Sequence, residues 1–592
     1  MSKKGLLIVL CLFLGFQGIR AQETVGGADK PTVYMVANAH LDTQWRWDIR
    51  QTIDEFLLNT LLQNFHLIET YPDYIFNFEG AVKYMWTKEY YPELYEKLKE
   101  YIKQGRWVPS GSSWDANDPN LPSVEATMRN FLYGQHFYMQ EFGVKGTDVM
   151  LPDCFGFGYA LPTIASHCGL TAFGTQKLQW RARPFYPDGR RFPFLFGIWE
   201  GIDGSRIMAS LDGGNYSWDP TNEDLTDFAD FKDRLAKNPI PAAYRYFGTR
   251  SSRLHDDQGG SPTPNAVRLV DYASKNPKNY NVKFASVDQM FKDYYMDERL
   301  PVFNGELLMD IHATGCYTSH SEMKKINRKN EWMLVSGEGA GVMAHWLGTM
   351  PYEYYTLDES WKRVILHQFH DDLTGTSLPS AYQFSYNDEY VVANQLSNLV
   401  KAQVEDASAA LDTRVSGIPV VVYNPITAKN DDVVMVEIDL DRKYNGVAVY
   451  GPAGKKVKSQ VLSRNGGKAT VAFAADSESM GLAVYDVRPQ KSASVSSVLK
   501  ADENGMENSV YRIRFDENGD ICSIVDKRSD KELVKDGDAF GLVVFDNNES
   551  NVWPAWEVLK PVLDRTPARV KDDGSVCTKP SSSMAVIRTS TA

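Results

Sequence analysis

The sequence predicts a multidomain protein, with an α/β domain followed by an all-α domain and then an all-β region. Three observations predict this fold class. Short apolar runs alternate with helical patterns up to about residue 315. Residues 320–413 contain three long helical segments, and residues 417–592 contain short alternating runs separated by Gly, Asn, Asp and Pro. We therefore expect βαβ units, a three-helix bundle and a β-sandwich, in that order.

The α/β domain is expected to span residues 30–315. Its strand-like runs are TVYMVA, YIFNF, RWVPSG, DVMLPD, TAFGTQKL and RIMASL. Apolar residues recur at helical spacing after the first run, and residues 92–104 and 123–142 are also typical of helices. Strands that alternate with helices predict a parallel sheet, either open or closed into a barrel.

The two later regions follow from different patterns. KKINRKNEWMLVSGEGAGVMAHWLG, LDESWKRVILHQFHDDLTG and NDEYVVANQLSNLVKAQVEDASAALD have few internal helix breakers, which favours the bundle. The runs DVVMVEIDL, GVAVYGP, SVYRIRFDENGDICSIVD and AFGLVVFD are short, alternate and end at turn residues, which favours the sandwich.

The N-terminus predicts export. Residues 1–22 combine Lys3 and Lys4, a short apolar segment and a cleavage site near Ala21, as in a secretory signal peptide. Cys11 lies inside the apolar segment, which favours ordinary cleavage over a lipoprotein anchor. We therefore expect a secreted or periplasmic protein, and no other stretch predicts a membrane span.

Composition narrows the partners. There are 63 basic and 76 acidic residues, a net charge of −13, so no basic excess exists to meet the phosphates of a nucleic acid. Beyond the signal peptide five cysteines remain without close pairing, which excludes a disulfide framework or a zinc ribbon.

Three short motifs carry candidate metal ligands. His40 and Asp42 follow TVYMVA at alternate positions, so their side chains are expected on one face of the strand end. Asp153 follows DVML in a glycine-rich turn, where helix capping is the alternative. HQFHDDLTGTS places His367 and His370 three residues apart, as on one face of a helix. Imidazole and carboxylate groups together suit zinc.

A fourth motif predicts an acid. Asp256 and Asp257 lie in the glycine-rich loop RLHDDQGGSPTP. Burial and the neighbouring charge would raise the pKa of a carboxyl group that projects into a cleft. A solvated turn is the alternative interpretation.

Taken together, these motifs resemble a known family. AHLDTQWRW, LPDCFGFGYALP, FGTQKL, WEGIDGSRI, NGELLMDIHATGCYTSHSEMKKINRKNE and HQFHDDLTGTS are similar in order and spacing to glycoside hydrolase family 38, the α-mannosidases. The resemblance runs from about Thr32 to the end of the chain. It implies a (β/α) barrel of seven strands, a three-helix bundle and β-sandwich domains. It also implies a retaining, zinc-dependent hydrolase that acts on α-mannosides.

Carried over by position, the resemblance implies roles for individual residues. The metal ligands would be His40, Asp42, Asp153 and His370, holding one zinc or another divalent ion. Asp153 would also be the nucleophile. The acid would be Asp257, with Asp256 as the alternative because HDDQGGSPT departs from the family's loop.

The substrate-binding residues implied by the same resemblance are Trp45, Phe155, Lys177 and Asp371. Lys177 stands where some relatives have arginine, and HATGCYTS lacks the arginine that commonly follows its histidine. Both departures bear on how the outer sugar is held.

Other functions stay open on the sequence alone. A metal-dependent carbohydrate deacetylase would also gather His and Asp on a barrel, but would use a metal-bound water. A sugar-binding protein without activity is a third interpretation, since the β-sandwich region ends earlier than in similar proteins and is expected to be truncated.

Overall fold

The computed structural model describes residues 30–180, 186–187, 189–248, 257–492, 499–545, 550 and 552–569. The predicted signal peptide, Asp256 and the last residues of the β region lie outside these ranges.

Twelve strands make up the first part of the described chain. They are β1 (Thr32–Asn38), β2 (Phe76–Glu79), β3 (Trp107–Ser110), β4 (Asp148–Met150), β5 (Gly156–Phe157), β6 (Ala172–Gly174), β7 (Phe196–Glu200), β8 (Arg206–Ser210), β9 (Ala242–Phe247), β10 (Asn281–Phe284), β11 (Val302–Asn304) and β12 (Leu307–Leu308). Each of the six predicted strand-like runs overlaps one of these strands, so those predictions are confirmed.

Helices connect these strands. They are α1 (Ile49–Gln51), which continues through a π-helical segment (Thr52–Leu57) into α2 (Leu58–Thr70), then α3 (Ala81–Tyr90), α4 (Pro92–Lys103), α5 (Val124–Phe142), α6 (Leu161–His167), α7 (Ala229–Lys237), α8 (Pro264–Lys275) and α9 (Gln289–Asp293), with 3₁₀ turns at Lys177–Trp180 and Ile311–Tyr317. Local sequence sets their ends. The Ser123 side chain accepts a hydrogen bond from Ala126 N at the start of α5, and Gly143 ends that helix with φ +67.

The strands form two groups. In the first, β1 pairs in parallel with β9, with β10 near its start and with β2 near its end, and β2 pairs with β3. In the second, β4, β6 and β8 are parallel, β7 is antiparallel to β8, and β11 pairs with β7. β5 and β12 form a separate antiparallel pair.

The two groups touch at both edges and share one core. Gly111 N donates to Asp148 Oδ2 (2.7 Å) between β3 and β4, and Tyr246 N of β9 donates to Gly213 O (2.7 Å) just after β8. Alternate residues from both groups pack into a single buried cluster that includes Tyr34, Val36, Met150, Ala172, Met208, Tyr244 and Tyr246. The carboxyl ends of the parallel strands in the two groups therefore lie on one rim, where the predicted site residues follow them.

Three helices follow, namely α10 (Ser321–Trp346), α11 (Tyr354–Leu366) and α12 (Pro379–Ala409). Asn327 of α10 joins the other two helices in the buried interior, since its Nδ2 donates to Glu389 Oε1 of α12 (2.7 Å) and to Val364 O of α11 (3.1 Å). The helical middle region predicted from the sequence is present.

The remaining elements form the predicted all-β region. They are β13 (Ile418–Asn424), β14 (Asn430–Asp439), β15 (Gly446–Tyr450), β16 (Lys456–Val457), β17 (Ser459–Asn465), β18 (Lys468–Ser477), β19 (Gly481–Gln490), β20 (Lys500–Asp502), β21 (Gly505–Glu507), β22 (Tyr511–Phe515), β23 (Ile521–Asp526), β24 (Lys531–Glu532), β25 (Val543–Val544), the short helix α13 (Lys560–Leu563) and β26 (Ala568–Arg569). The sheets β13-β19-β15-β16 and β14-β18-β17 contribute to one buried core. Among the described residues no helix is both long and apolar enough to cross a membrane.

Candidate active site

The first two predicted metal ligands lie just beyond β1. His40 and Asp42 are both about 1% exposed, and His40 Nε2 lies 3.1 Å from Asp42 Oδ1. Backbone hydrogen bonds fix this turn to the loop that carries Asp257, from Asp42 N to Asp257 O (3.0 Å) and from Gly259 N to His40 O (2.9 Å). The end of β1 and the predicted acid loop are therefore one structural unit.

His370 reaches the same point from the helical region. Its Nδ1 donates to Ala116 O (2.7 Å) in the loop after β3, which leaves Nε2 facing Asp42 Oδ1 at 3.4 Å. The prediction that HQFH lies on a helix is wrong, because α11 ends at Leu366 and His370 belongs to the turn that follows. The turn allows a backbone contact with Ala116 that a continuing helix would block.

His367 has a different environment. Its Nδ1 lies 2.7 Å from Asp372 Oδ2 and its Nε2 lies 3.2 Å from Asp388 Oδ2, so both ring nitrogens are occupied. Asp372 also accepts from Gln44 and Ser385. Of the two histidines in this motif, His367 fixes the turn and His370 faces the site.

Asp153 completes the set. It follows β4, is 8% exposed, and its Oδ2 lies 3.9 Å from His370 Nε2. Its Oδ1 accepts hydrogen bonds from Lys177 Nζ (2.8 Å) and Tyr216 OH (3.1 Å). The glycine-rich turn permits this placement, since Gly156 has φ +99 and a Cβ there would lie 2.9 Å from Met309 N.

The donor atoms fit a divalent metal ion. His40, Asp42 and His370 form one group of possible ligand atoms within 4.8 Å of one another, and Asp153, His370 and Asp371 form a second. His40 Nε2, Asp42 Oδ1 and His370 Nε2 are buried and make no hydrogen bond of acceptable geometry. Buried polar atoms without partners are costly, and a cation between them would satisfy all three. Two imidazoles with carboxylates suit zinc among the common metals.

The charges around His40 favour a cation as well. Burial lowers the pKa of its imidazole, but the carboxylates of Asp42 and Glu79 outweigh burial and raise the pKa to about 10. A proton and a metal ion compete for the same nitrogen lone pair, so the same carboxylates would stabilise a bound cation.

Asp257 faces Asp153 across Tyr216. The Tyr216 hydroxyl lies 3.1 Å from Asp153 Oδ1 and 2.5 Å from Asp257 Oδ1. Asp153 Oδ1 and Asp257 Oδ1 are therefore at most about 5.6 Å apart. This limit allows the spacing of about 5–5.5 Å between the two carboxyl groups of retaining glycosidases. Burial, together with the charges of Asp42 and Asp153, raises the pKa of Asp257 to about 7. This carboxyl group can therefore hold a proton near neutral pH.

These groups line one cavity of about 300 Å³. Its charged and polar lining includes Asp42, Asp153, Lys177, Tyr216, Asp257 and Asp371, and its aromatic lining consists of Trp45, Phe155, Trp180, Tyr216, His312, Trp553 and Trp556. Every predicted site residue in the described ranges either lines this cavity or, in the case of His40 and His370, contacts Asp42, which lines it. A small polar ring with apolar faces fits such a lining.

Several residues of the site were not foreseen from the sequence. Glu79 accepts the Nδ1–H of His40 (2.8 Å) from the end of β2. Tyr216 contacts both carboxyl groups, and Trp180, Trp553 and Trp556 complete the aromatic lining of the cavity, called the aromatic wall below. Glu79 had a usable signal, since it is an acidic residue at a strand end on the same rim as His40.

The site thus combines a buried set of possible cation ligands with two facing carboxyl groups in a small aromatic cavity. Family models match along the chain: glycosyl hydrolases family 38 N-terminal domain over residues 30–306, alpha mannosidase middle domain over 312–406, and glycosyl hydrolases family 38 C-terminal domain over 506–591. The chain belongs to glycosyl hydrolase family 38.

Individual relatives agree with the family models. The chain is 28% identical over 557 residues to Alpha-mannosidase 2C1 of Homo sapiens, covering 91% of this chain and 49% of that protein. It is 28% identical over 551 residues to Alpha-mannosidase G of Dictyostelium discoideum, covering 89% and 49%. The chain thus spans about half the length of these curated relatives.

A solved structure supports the fold. An alpha-mannosidase from Enterococcus faecalis V583 superposes with a TM-score of 0.69 at 20% identity, over 87% of this chain and 62% of that chain. The multidomain family 38 fold, with an N-terminal domain, a helical middle and a C-terminal sheet domain, is therefore established for this chain.

Proposed function

We propose that this protein is a zinc-dependent, retaining α-mannosidase that hydrolyses terminal α-linked mannose from glycans or oligosaccharides by double displacement. One observation supports the proposal above all. The carboxyl groups of Asp153 and Asp257 both contact the hydroxyl of Tyr216, and beside them lie buried nitrogen and oxygen atoms that make no hydrogen bond and could bind a metal ion.

The two carboxyl groups divide the chemistry. Asp153 would attack the anomeric carbon, since hydrogen bonds from Lys177 and Tyr216 to its Oδ1 fix the position of its carboxyl group in the cavity. Asp257 would protonate the departing glycosidic oxygen, for which its raised pKa suits it. Asp257 would then take a proton from the water that releases the sugar from Asp153.

His40, Asp42, Asp153 and His370 would hold the zinc ion. When bound, zinc would supply Lewis acidity toward neighbouring hydroxyls of the sugar and help to orient the ring. The buried Asp371, whose pKa burial and Asp42 raise to about 8, lies beside His370 and would hydrogen-bond to sugar hydroxyls. Trp45 and Phe155 would border the ring on its apolar faces.

The architecture of the first domain and the location of the protein belong to the same proposal. The seven parallel strands β1, β2, β3, β4, β6, β8 and β9 would form the barrel of the family, a view supported by the core that β1 and β9 share with β4, β6 and β8 and by two edge contacts between the groups. The N-terminal sequence supports export to the periplasm or the cell exterior.

The test is hydrolysis of an aryl α-mannoside by the purified chain, with and without a chelator, beside Asp153→Asn. We expect the chelator and the substitution each to reduce turnover by at least about 10³-fold. NMR of the released sugar should show α-mannose first. First-formed β-mannose, or equal activity in all three samples, would contradict the proposal, and release of acetate from acetylated sugars would favour the deacetylase.

A further inference from the structure

The chain returns to the active site after its β region. Trp553 and Trp556 line the same cavity as Asp153 and Asp257, although they lie about 300 to 400 residues further along the sequence. Gly315 N donates to Trp556 O (2.8 Å), and Ser319 Oγ donates to Ala555 O (2.6 Å). The two tryptophans are thus fixed on the turn that carries His312.

Glu557, the residue after Trp556, contacts residues on both sides of the two tryptophans. Glu557 Oε1 lies 3.4 Å from His312 Nδ1, and Glu557 Oε2 accepts a hydrogen bond from Ser550 Oγ (2.7 Å). Gly315 is needed at the contact, because a Cβ there would lie 2.5 Å from Ala555 O. The rings of the segment are therefore placed by hydrogen bonds on both sides and present a preformed surface.

The aromatic wall has an inner and an outer part. Trp556 is 8% exposed, and its ring lies 6.4 Å from the rings of Trp45 and Phe155, which neighbour the metal donors. Trp553 is partly exposed and its ring lies 6.0 Å from that of Trp180, which is 42% exposed. Exposure rises from Trp556 to Trp180, so the wall leads from the metal donors to the mouth of the cavity.

We infer that Trp553 and Trp180 form the stacking surface for the leaving-group sugar, the unit from which the terminal mannose is cut. The inference rests on the proposed hydrolysis and deepens it. The mannose to be released would occupy the space beside the carboxyl pair, so the sugar attached to it must extend toward the mouth.

The two rings suit that sugar. They meet at an interplanar angle of 75°, so together they make a corner rather than a flat wall. The C–H face of a sugar ring packs on an aromatic face, and its hydroxyls stay in water at the open side. Trp553 is thus a specificity-determining residue for substrates whose leaving group is a sugar.

The experiment compares two substrates and four proteins. The substrates are α-mannosyl fluoride, which has no leaving-group sugar, and the α-linked mannobiose that the wild type cleaves fastest. The proteins are the wild type, Trp553→Ala, Trp553→Phe and Trp346→Ala. Trp346 is 87% exposed at the end of α10 and serves as the matched control.

We expect Trp553→Ala to lower kcat/KM for the mannobiose by about tenfold, as for loss of one well-packed aromatic contact, and to change that for the fluoride by less than about twofold. Trp553→Phe should keep most of the mannobiose activity, and Trp346→Ala should match the wild type. Unchanged zinc binding would show that the Ala variant is folded.

Two results would overturn this inference but leave the proposed function standing. One is an equal loss on both substrates in Trp553→Ala, which would assign Trp553 to the inner sugar or to folding. The other is no loss on either substrate. A wild type that cleaves neither substrate would instead refute the proposed function, and this inference with it.

Discussion

At the scale of single residues, His40 and His370 are each oriented through Nδ1, the ring nitrogen other than the proposed metal-binding Nε2. His370 donates to a backbone carbonyl, that of Ala116, whereas His40 donates to the side chain of Glu79. Such a partner fixes the ring and raises the basicity of the opposite nitrogen. Glu79 is buried and can be changed by mutation, so it offers a test of how much this orientation contributes.

We expect Glu79→Gln to weaken zinc binding about tenfold and Glu79→Ala up to about 100-fold. Gln can still accept the Nδ1–H of His40 but lacks the charge, while Ala leaves that N–H without its partner. Titration calorimetry of the metal-free protein measures the affinity, and a thermal melt at pH 7 without metal checks the fold. The exposed Glu89→Gln is the control. Wild-type zinc affinity in both Glu79 variants would show that Glu79 does not position His40.

Much of the residue set could be predicted because its members lie in short motifs at strand ends. His40, Asp42 and Asp153 follow apolar runs, and parallel strands bring their carboxyl ends to one rim. Tyr216 and Trp553 follow no such pattern, since one lies in a loop after β8 and the other comes after the β region. The prediction that His367 and His370 share one face of a helix was wrong, because a spacing of three residues does not reveal that the helix ends at Leu366.

At the scale of elements, a buried carboxyl group joins the two strand groups at one edge. Asp148 of β4 accepts from Gly111 N, and it is 3% exposed. Burial, with the charge of Asp288 adding to it, raises the pKa of Asp148 to about 7. The strands themselves were predictable from their apolar runs. Their grouping was not, because a contact such as this one joins residues 37 apart that no periodicity relates.

We expect Asp148→Asn to gain stability over the wild type as pH rises. The unfolded chain loses the Asp148 proton near pH 4, whereas the folded protein keeps it to about pH 7, so folding stability falls between about pH 4 and pH 7. Asparagine keeps an acceptor for Gly111 N without the charge. The advantage should grow by about 1–3 kcal/mol from pH 4.5 to pH 8 in denaturant unfolding. The exposed Asp54→Asn should follow the wild type at every pH, and an advantage for Asp148→Asn that stays constant would contradict the assignment.

At the scale of the whole molecule, the proposed metal ligands come from two regions. His40, Asp42 and Asp153 lie on the strand ends of the first domain, whereas His370 lies beyond α11. The turn with His370 is also bonded to the loop after β3, since Asp118 N donates to Gln368 O (2.9 Å). This junction could not be predicted from any one segment of the sequence, since it depends on how the helical region docks on the first domain. A metal ion bound there would tie the two regions together.

Removal of the metal should therefore loosen the junction and spare the distant β region. A ligand at about 1,000 times its Kd stabilises the protein that binds it by about 4 kcal/mol, so a chelator should lower Tm clearly. Hydrogen exchange should speed up in residues 38–44, 112–118 and 367–377, which carry or support the donors, while residues 418–490 stay unchanged. His370→Ala should show the faster exchange from the start and respond little to chelator. Equal acceleration along the whole chain would instead mean that the metal stabilises folding globally, and unchanged exchange at all four segments would mean that no metal bridges the two regions.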